Sequence, residues 1–252
     1  MSTKRTALVT GASRGIGLAI AERLTADGFR VALVGRGGDA LTEAAARLAG
    51  VAVSADLGDR PSVASLLEQV ARSVGHVDVL VNNAGVSGSA PYDRTDDASW
   101  DRMMEINVHA PFALCRSLIP PMVKAGWGRV INVASNAGRS GYAYTSAYCA
   151  SKHALVGLTR ALAAELARTP VTVNAVCPGW VRTDMSADAV RRIADKTKRS
   201  ESEAEAELAK MSPQRRLLEA AEVAHVCAML CADDARGLHG QSIVLDGGQL
   251  MA

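Results

Sequence analysis

A tyrosine and a lysine four residues apart, in the run Ser146-Ala147-Tyr148-Cys149-Ala150-Ser151-Lys152, are the side chains of this sequence best suited to acid–base chemistry. The run opens a long stretch of helical apolar spacing, and positions i and i+4 of a helix share one face. A free tyrosine has a pKa of about 10, so at neutral pH it is a slow general acid or base unless a nearby cation favours its phenolate. Lys152 is placed to be that cation. Taken alone, the pair reads by default as two solvated surface residues, and its surroundings must decide.

Ser135 stands thirteen residues before Tyr148, just past an apolar run. The turn Thr10-Gly11-Ala12-Ser13-Arg14-Gly15-Ile16-Gly17 opens the chain, and Asn82-Asn83-Ala84-Gly85, Pro178-Gly179 and Asp246-Gly247-Gly248 follow in order. Together these motifs resemble the short-chain dehydrogenase/reductase family, and the resemblance spans nearly the whole chain. It implies reversible hydride transfer between a nicotinamide dinucleotide and a carbonyl or secondary alcohol. In reduction, Tyr148 would donate a proton to the substrate oxygen while Ser135 hydrogen-bonds that oxygen. By the same resemblance, Lys152 would lower the phenol's pKa and hold the nicotinamide ribose, and Asn107 would support proton resupply through a water on its backbone. The other reading of Asn107 is a buried amide bonding a neighbouring helix. His109 has no placed partner in the sequence and reads as structural.

The elements that must position these residues follow from apolar spacing. A short apolar run at residues 7–9 leads into the glycine turn, and helical spacing resumes at residues 18–24, which reads as strand, turn and helix. At Gly11, Gly15 and Gly17 the missing Cβ lets a diphosphate approach backbone N–H groups at a helix start, with Ser13, Arg14 and Ile16 beside them. A second strand at 30–34 ends in Gly35-Arg36, where a chain binding NAD usually carries an acidic residue. Arg36 and Arg14 instead suit a 2'-phosphate, so NADP(H) is favoured over NAD(H), with Asp39 the residue that could reverse this.

A third strand at 51–54 precedes Asp56-Leu57, which by the resemblance hold the adenine; Asp56 otherwise serves as a turn or cap carboxylate. A helix at 62–74 and a fourth strand at 77–81 lead into Asn83, Ala84 and Gly85, which in the family close the cofactor site. Residues 100–124 have helical spacing that Pro111 should kink. A fifth strand at 128–135 carries Ser135 at its end, followed by a loop in which Tyr142 and Tyr144 are pocket walls or packing residues. After the helix of Tyr148, a sixth strand at 171–176 is broken by Pro178-Gly179, and Thr183 matches a cofactor-bonding position of the family. A helix at 222–230 and a seventh strand at 242–245 complete the pattern. Alternating strands and helices with the glycine turn first give an α/β fold, a Rossmann-like doubly wound parallel sheet with helices on both faces.

The 252 residues, 48% hydrophobic, can bury one full core, so 1–252 reads as a single dinucleotide-binding and catalytic domain. A charged segment around 185–216 resembles the family's helical substrate lid. Its cations either form a solvated face or receive the phosphate of a carrier such as coenzyme A or a phosphopantetheine-bearing protein. The substrate expectation is therefore a small-molecule or carrier-bound carbonyl compound, a 3-oxoacyl thioester or polyketide-type ketone. Two alternatives stay open: an NAD-dependent dehydrogenase of a 3-hydroxyacyl thioester or other secondary alcohol, and a non-catalytic nucleotide-binding regulatory protein. A net charge of +2 argues against nucleic acid as a partner. Five cysteines without paired ligand spacing read as reduced thiols, with no metal site. No signal-type segment or run of membrane-spanning length is expected, which makes a soluble, cytoplasmic protein the simplest reading. The family resemblance implies a homotetramer.

Overall fold

The computed structural model describes residues 4–251; residues 1–3 and 252, the ends of the expected domain, lie outside the described residues. The chain runs β1 (Thr6–Thr10), α1 (Gly15–Ala26), β2 (Arg30–Gly35), α2 (Asp39–Arg47), β3 (Val51–Ser54), α3 (Arg60–Ser73) and β4 (Val79–Asn82). It continues α4 (Asp97–Met104), α5 (Ala110–Ala125), β5 (Gly128–Val133), α6 (Ser146–Leu166), β6 (Val171–Pro178), α7 (Asp184–Thr197), α8 (Glu201–Lys210), α9 (Ala220–Cys231) and β7 (Ser242–Leu245). The seven strands form one sheet in the order β3-β2-β1-β4-β5-β6-β7, and every neighbouring pair is parallel.

A parallel pair cannot be closed by a tight hairpin, so each connection crosses a face of the sheet and covers it. Alternate residues of β1 accordingly enter different cores. Ala7 and Val9 pack with Ile20 and Leu24 of α1 and Cys227 of α9, while Leu8 joins Leu66 of α3, Leu80 of β4 and Leu114 of α5. From β1 the sheet builds outward one way through β2 and β3 and the other way from β4, so the turns following β1 and β4 part company at their carboxyl ends. That reversal opens the crevice in which ligands of such sheets bind.

Two expectations are corrected by local chemistry. The helix expected at 62–74 begins at Arg60, because Asp59 accepts the N–H of Ser62 at 3.0 Å as its N-cap and Pro61 fits the first turn. The helix expected at 100–124 does not kink at Pro111. It is divided earlier, by a wide π-turn at Glu105–His109, and Pro111 then falls in the first turn of α5, where a missing N–H is harmless. The segment 185–216 contains α7 and α8, each started by a capping box, with Val190, Ala194, Ala204 and Leu208 forming a small core of their own.

These packing terms differ in size. Leu80→Ala, at a site with no exposure, should cost about 2–5 kcal/mol in chemical denaturation, whereas the cap variant Asp59→Ala should cost only about 1 kcal/mol.

Candidate active site

β5 delivers the chain to Ser135, which caps a short turn at Asn136–Gly138: its Oγ accepts the N–H of Ala137 at 3.1 Å and is buried. Tyr148 and Lys152 lie in the first two turns of α6, with the ammonium 5.9 Å from the centroid of the phenol ring. Only 4% of Lys152 is exposed, and its Nζ donates to the carbonyl of Val133 at 3.0 Å. Burial holds the ammonium's pKa down to about 8. Burial pushes the Tyr148 phenol up, and its hydrogen bond with Ser135 pulls it part of the way back. The net shift of this phenol is upward, against the expected lowering by Lys152, because desolvation is the larger effect and the ammonium's hydrogen bond goes to a main-chain carbonyl.

Asn107 sits in the π-turn with no exposed surface. Its Oδ1 accepts from Val86 N at 2.9 Å, and its Nδ2 donates to Val86 O at 2.9 Å and to Ser151 Oγ at 3.0 Å. One amide thus ties the loop after β4 to α6, between Tyr148 and Lys152. Pro111 has no N–H to offer the Asn107 carbonyl four residues earlier. A Cβ on Gly85 would lie 3.2 Å from Asn107 Oδ1 and 3.3 Å from Lys152 Nζ, so the Asn83-Ala84-Gly85 turn packs directly on this group. His109, read as structural, brings Nδ1 to 2.9 Å of Glu105 Oε1 without hydrogen-bond geometry, and the Glu105 carboxylate bonds Arg60 instead.

At the sheet reversal, the turns after β1 and β4 are stitched together. Thr10 Oγ1 accepts the N–H groups of Asn83 and Ala84 at 3.0 Å each, and Asn83 Nδ2 donates to Thr10 O at 2.9 Å. Asn82 does not serve the turn; its Nδ2 reaches Asn132 Oδ1 at 2.8 Å on the adjacent strand. A Cβ on Gly17 would overlap the Gly11 carbonyl oxygen, and Gly11 and Gly15 have φ of 65° and 56°. No side chain caps the start of α1. The close backbone approach and the uncapped amides of α1 fit the diphosphate of a dinucleotide.

The remaining expected contacts vary. Ser13 is half-buried in the turn, and Ile16 packs against the first core. Arg36 is exposed at the end of β2, while Arg14 pairs with Asp184, the first residue of α7, at 3.1 Å. Asp39 lies in the first turn of α2, where the helix dipole favours a carboxylate. Asp56 Oδ1 accepts from Gly58 N at 2.9 Å, the turn role left open for it, and Leu57 is buried in the second core. Thr183 caps α7 with its methyl group against Gly15. Pro178 ends β6, and Gly179 passes Asp246 so closely that a Cβ would come to 2.8 Å of its side chain.

Sequence reasoning overlooked Ser151, Asn136 and Asp184. The first two adjoin Lys152 and Ser135, which was the available signal; the pairing of Asp184 with Arg14 had none, nor did the Val133 carbonyl. Among the eight cations of 191–216, Arg191, Arg199 and Lys210 pair with Asp188 and Glu207 inside the charged segment and Arg216 pairs with Glu222 of α9, so half of them are neutralised. Among the described residues no helix is long and apolar enough to cross a membrane.

A family profile described as short chain dehydrogenase matches residues 5–194. The chain is 36% identical to the 3-oxoacyl-(acyl-carrier-protein) reductase of Haemophilus influenzae, over 96% of each. It is 35% identical to a D-beta-hydroxybutyrate dehydrogenase of Rhizobium meliloti, over 97% of this chain and 98% of that one. The crystal structure of a point variant of actinorhodin polyketide ketoreductase with NADPH superposes with a TM-score of 0.94 at 37% identity, over 99% of each chain.

Burial of Lys152 has a measurable pH signature. Between about 8 and 10.5 the unfolded chain holds this proton while the folded chain releases it, so stability should rise with pH across that window. Below it the burial penalty is full. Lys152→Met should therefore be more stable than the parent at neutral pH, by on the order of 3 kcal/mol, with the difference closing at alkaline pH in paired urea titrations.

Proposed function

This chain belongs to the short-chain dehydrogenase family, and from that premise we propose that it is an oxidoreductase transferring a hydride between NADP(H) and a ketone or secondary alcohol. The proposed substrate class is the 3-oxoacyl thioester or polyketide-type ketone, in line with the reductases it resembles. The observation that carries the reading is the buried Lys152 ammonium one turn from the Tyr148 phenol, with the Ser135 hydroxyl against that phenol.

The glycine turn and α1 would hold the diphosphate, Arg14 and Arg36 the 2'-phosphate, and Asp56 and Leu57 the adenine. Asn83, Ala84, Gly85, Pro178, Gly179 and Thr183 would border the nicotinamide half, and Tyr148 and Lys152 its ribose. When bound, the reduced nicotinamide supplies the hydride. Tyr148 enters the reduction protonated, as a phenol of pKa about 10 is at neutral pH, and that is the form able to donate to the substrate oxygen. Ser135 orients the same oxygen. Lys152 presents a cation beside the phenol as it becomes a phenolate, and Asn107, clamped on Val86 and Ser151, keeps α6 in register with the turn after β4.

A second reading, an NAD-dependent dehydrogenase of a 3-hydroxyacyl thioester or similar alcohol, draws on Asp39 and on the likeness to a hydroxybutyrate dehydrogenase. The proposal further takes α7 and α8 as a lid over bound substrate. It takes the assembly as a homotetramer, which the 41% exposure of both Trp100 and Phe112 supports, and the compartment as cytoplasmic, which five unpaired thiols support. Light scattering behind size exclusion tests the assembly.

Turnover of a 3-oxoacyl thioester with NADPH should fall about 10²–10⁴-fold in Tyr148→Phe while NADPH still binds; equal turnover by the variant would remove the phenol from the mechanism. In fluorescence titrations Arg36→Ala should lose its preference for NADPH over NADH by about tenfold to a hundredfold. Equal binding of the two by the parent protein would instead favour the dehydrogenase reading.

A further inference from the structure

The segment Asp246-Gly247-Gly248-Gln249 folds back onto the site from beyond the last strand. Asp246, 4% exposed, accepts the N–H groups of Gly248 and Gln249 on Oδ1 at 3.1 and 3.0 Å and that of Leu250 on Oδ2 at 3.0 Å. Gly247 and Gly248 have φ of 68° and 87°, a turn that side-chain-bearing residues resist. A Cβ on Gly247 would overlap Ser212 Oγ. The turn is thus built from within and wedged from outside, and its result is to aim the Gln249 side chain inward.

There Gln249 makes two bonds of opposite sense. Its Oε1 accepts from Asn136 Nδ2 at 3.2 Å, and its Nε2 donates to the Tyr142 hydroxyl at 3.0 Å. Asn136 Nδ2 also points to Asp246 Oδ2 at 3.5 Å, so both tail residues draw the same edge of that amide. Its other edge is thereby turned to Ser135, whose Oγ donates to Asn136 Oδ1 at 3.5 Å. A continuous path of side-chain hydrogen bonds therefore runs from Ser135 through Asn136 and Gln249 to Tyr142. The bond at Ser135 is the longest link, so its proton is the one most easily handed to another acceptor.

We propose that Gln249 is a positioning residue of this site: through Asn136 it sets the rotation of the Ser135 hydroxyl, and through Tyr142 it holds the loop between Ser135 and Tyr148 as one wall. Its kinetic consequence rests on the ketone-reductase reading; its structural consequence does not. Gln249→Leu removes both bonds at similar size. Gln249→Glu keeps an acceptor for Asn136 and offers Tyr142 a carboxylate to donate to. With a 3-oxoacyl thioester and NADPH, Gln249→Leu should lower kcat about tenfold, with the NADPH dissociation constant unchanged and the melting temperature lowered by only a few degrees, and Gln249→Glu should recover most of the loss of kcat. In an Asn136→Ala background, Gln249→Leu should have little further effect on kcat, since the path to Ser135 is already cut. Unchanged kcat in Gln249→Leu, equal loss in both Gln249 variants, or full additivity with Asn136→Ala would overturn the proposal. Should the parent protein reduce no ketone, the functional reading falls separately, and amide exchange decides this one. Gln249→Leu should then speed exchange at residues 136–142 of the full chain, and identical exchange would refute the inference.

Discussion

An ammonium group almost wholly out of water must be compensated where it sits, and the candidate site is arranged around that requirement. Lys152 has one protein acceptor among the described residues, the carbonyl of Val133 at the end of β5, so α6 can lie in only one place along that strand. The next residue back, Ser151, bonds both the Tyr148 carbonyl and the Asn107 amide, which extends the constraint to the π-turn and to the loop after β4. The buried charge costs stability, and the contacts of Lys152 and its neighbour Ser151 together tie α6 to β5, to the π-turn and, through Asn107, to the loop after β4.

The same economy of contact governs the crevice at the sheet reversal. Thr10 and Asn83 satisfy each other's turns, and the absence of side chains at Gly11 and Gly17 brings the two backbones together. Rigid strand ends therefore carry both halves of the site, the cradle between β1 and β4 and the acid–base group between β5 and α6. The charged segment, α7 and α8, packs on its own small core and touches the glycine turn at its start, through Thr183 against Gly15 and Asp184 against Arg14.

Much of this is legible in the sequence where one chemical demand dominates. The seventh strand falls at 242–245 as its apolar run and the following Asp-Gly-Gly indicate, and Tyr148 and Lys152 meet because helical period alone brings them together. Asp39–Arg47, a helix rich in small alanines, gives a weaker apolar signal and goes unread. The π-turn is hidden for a different reason: one wide turn shifts the apolar stripe by a single position, which a sequence pattern absorbs, while Pro111 draws attention away from Asn107, which sits in that turn. The Lys152 environment is beyond reach because its acceptor is a backbone carbonyl, which every residue has. Burial then reverses the expected direction of the Tyr148 shift, since proximity of a cation is visible in sequence and loss of water is not.

The order of strands also imposes a timetable. β1 lies in the middle of the sheet, yet its main chain reaches across to Asp78, seventy-two residues later in sequence. With every pair parallel, no neighbouring strands close as tight hairpins; at about 5–20 residues per second, the growing chain holds one edge of β1 open for several seconds before β4 arrives. The glycine cradle is thus synthesised before its partner and completed only when Asn83 appears; the phenol and ammonium follow, and Gln249, which bonds Asn136 and Tyr142, comes later still. A ribosome must finish nearly all of this chain before any of it can work.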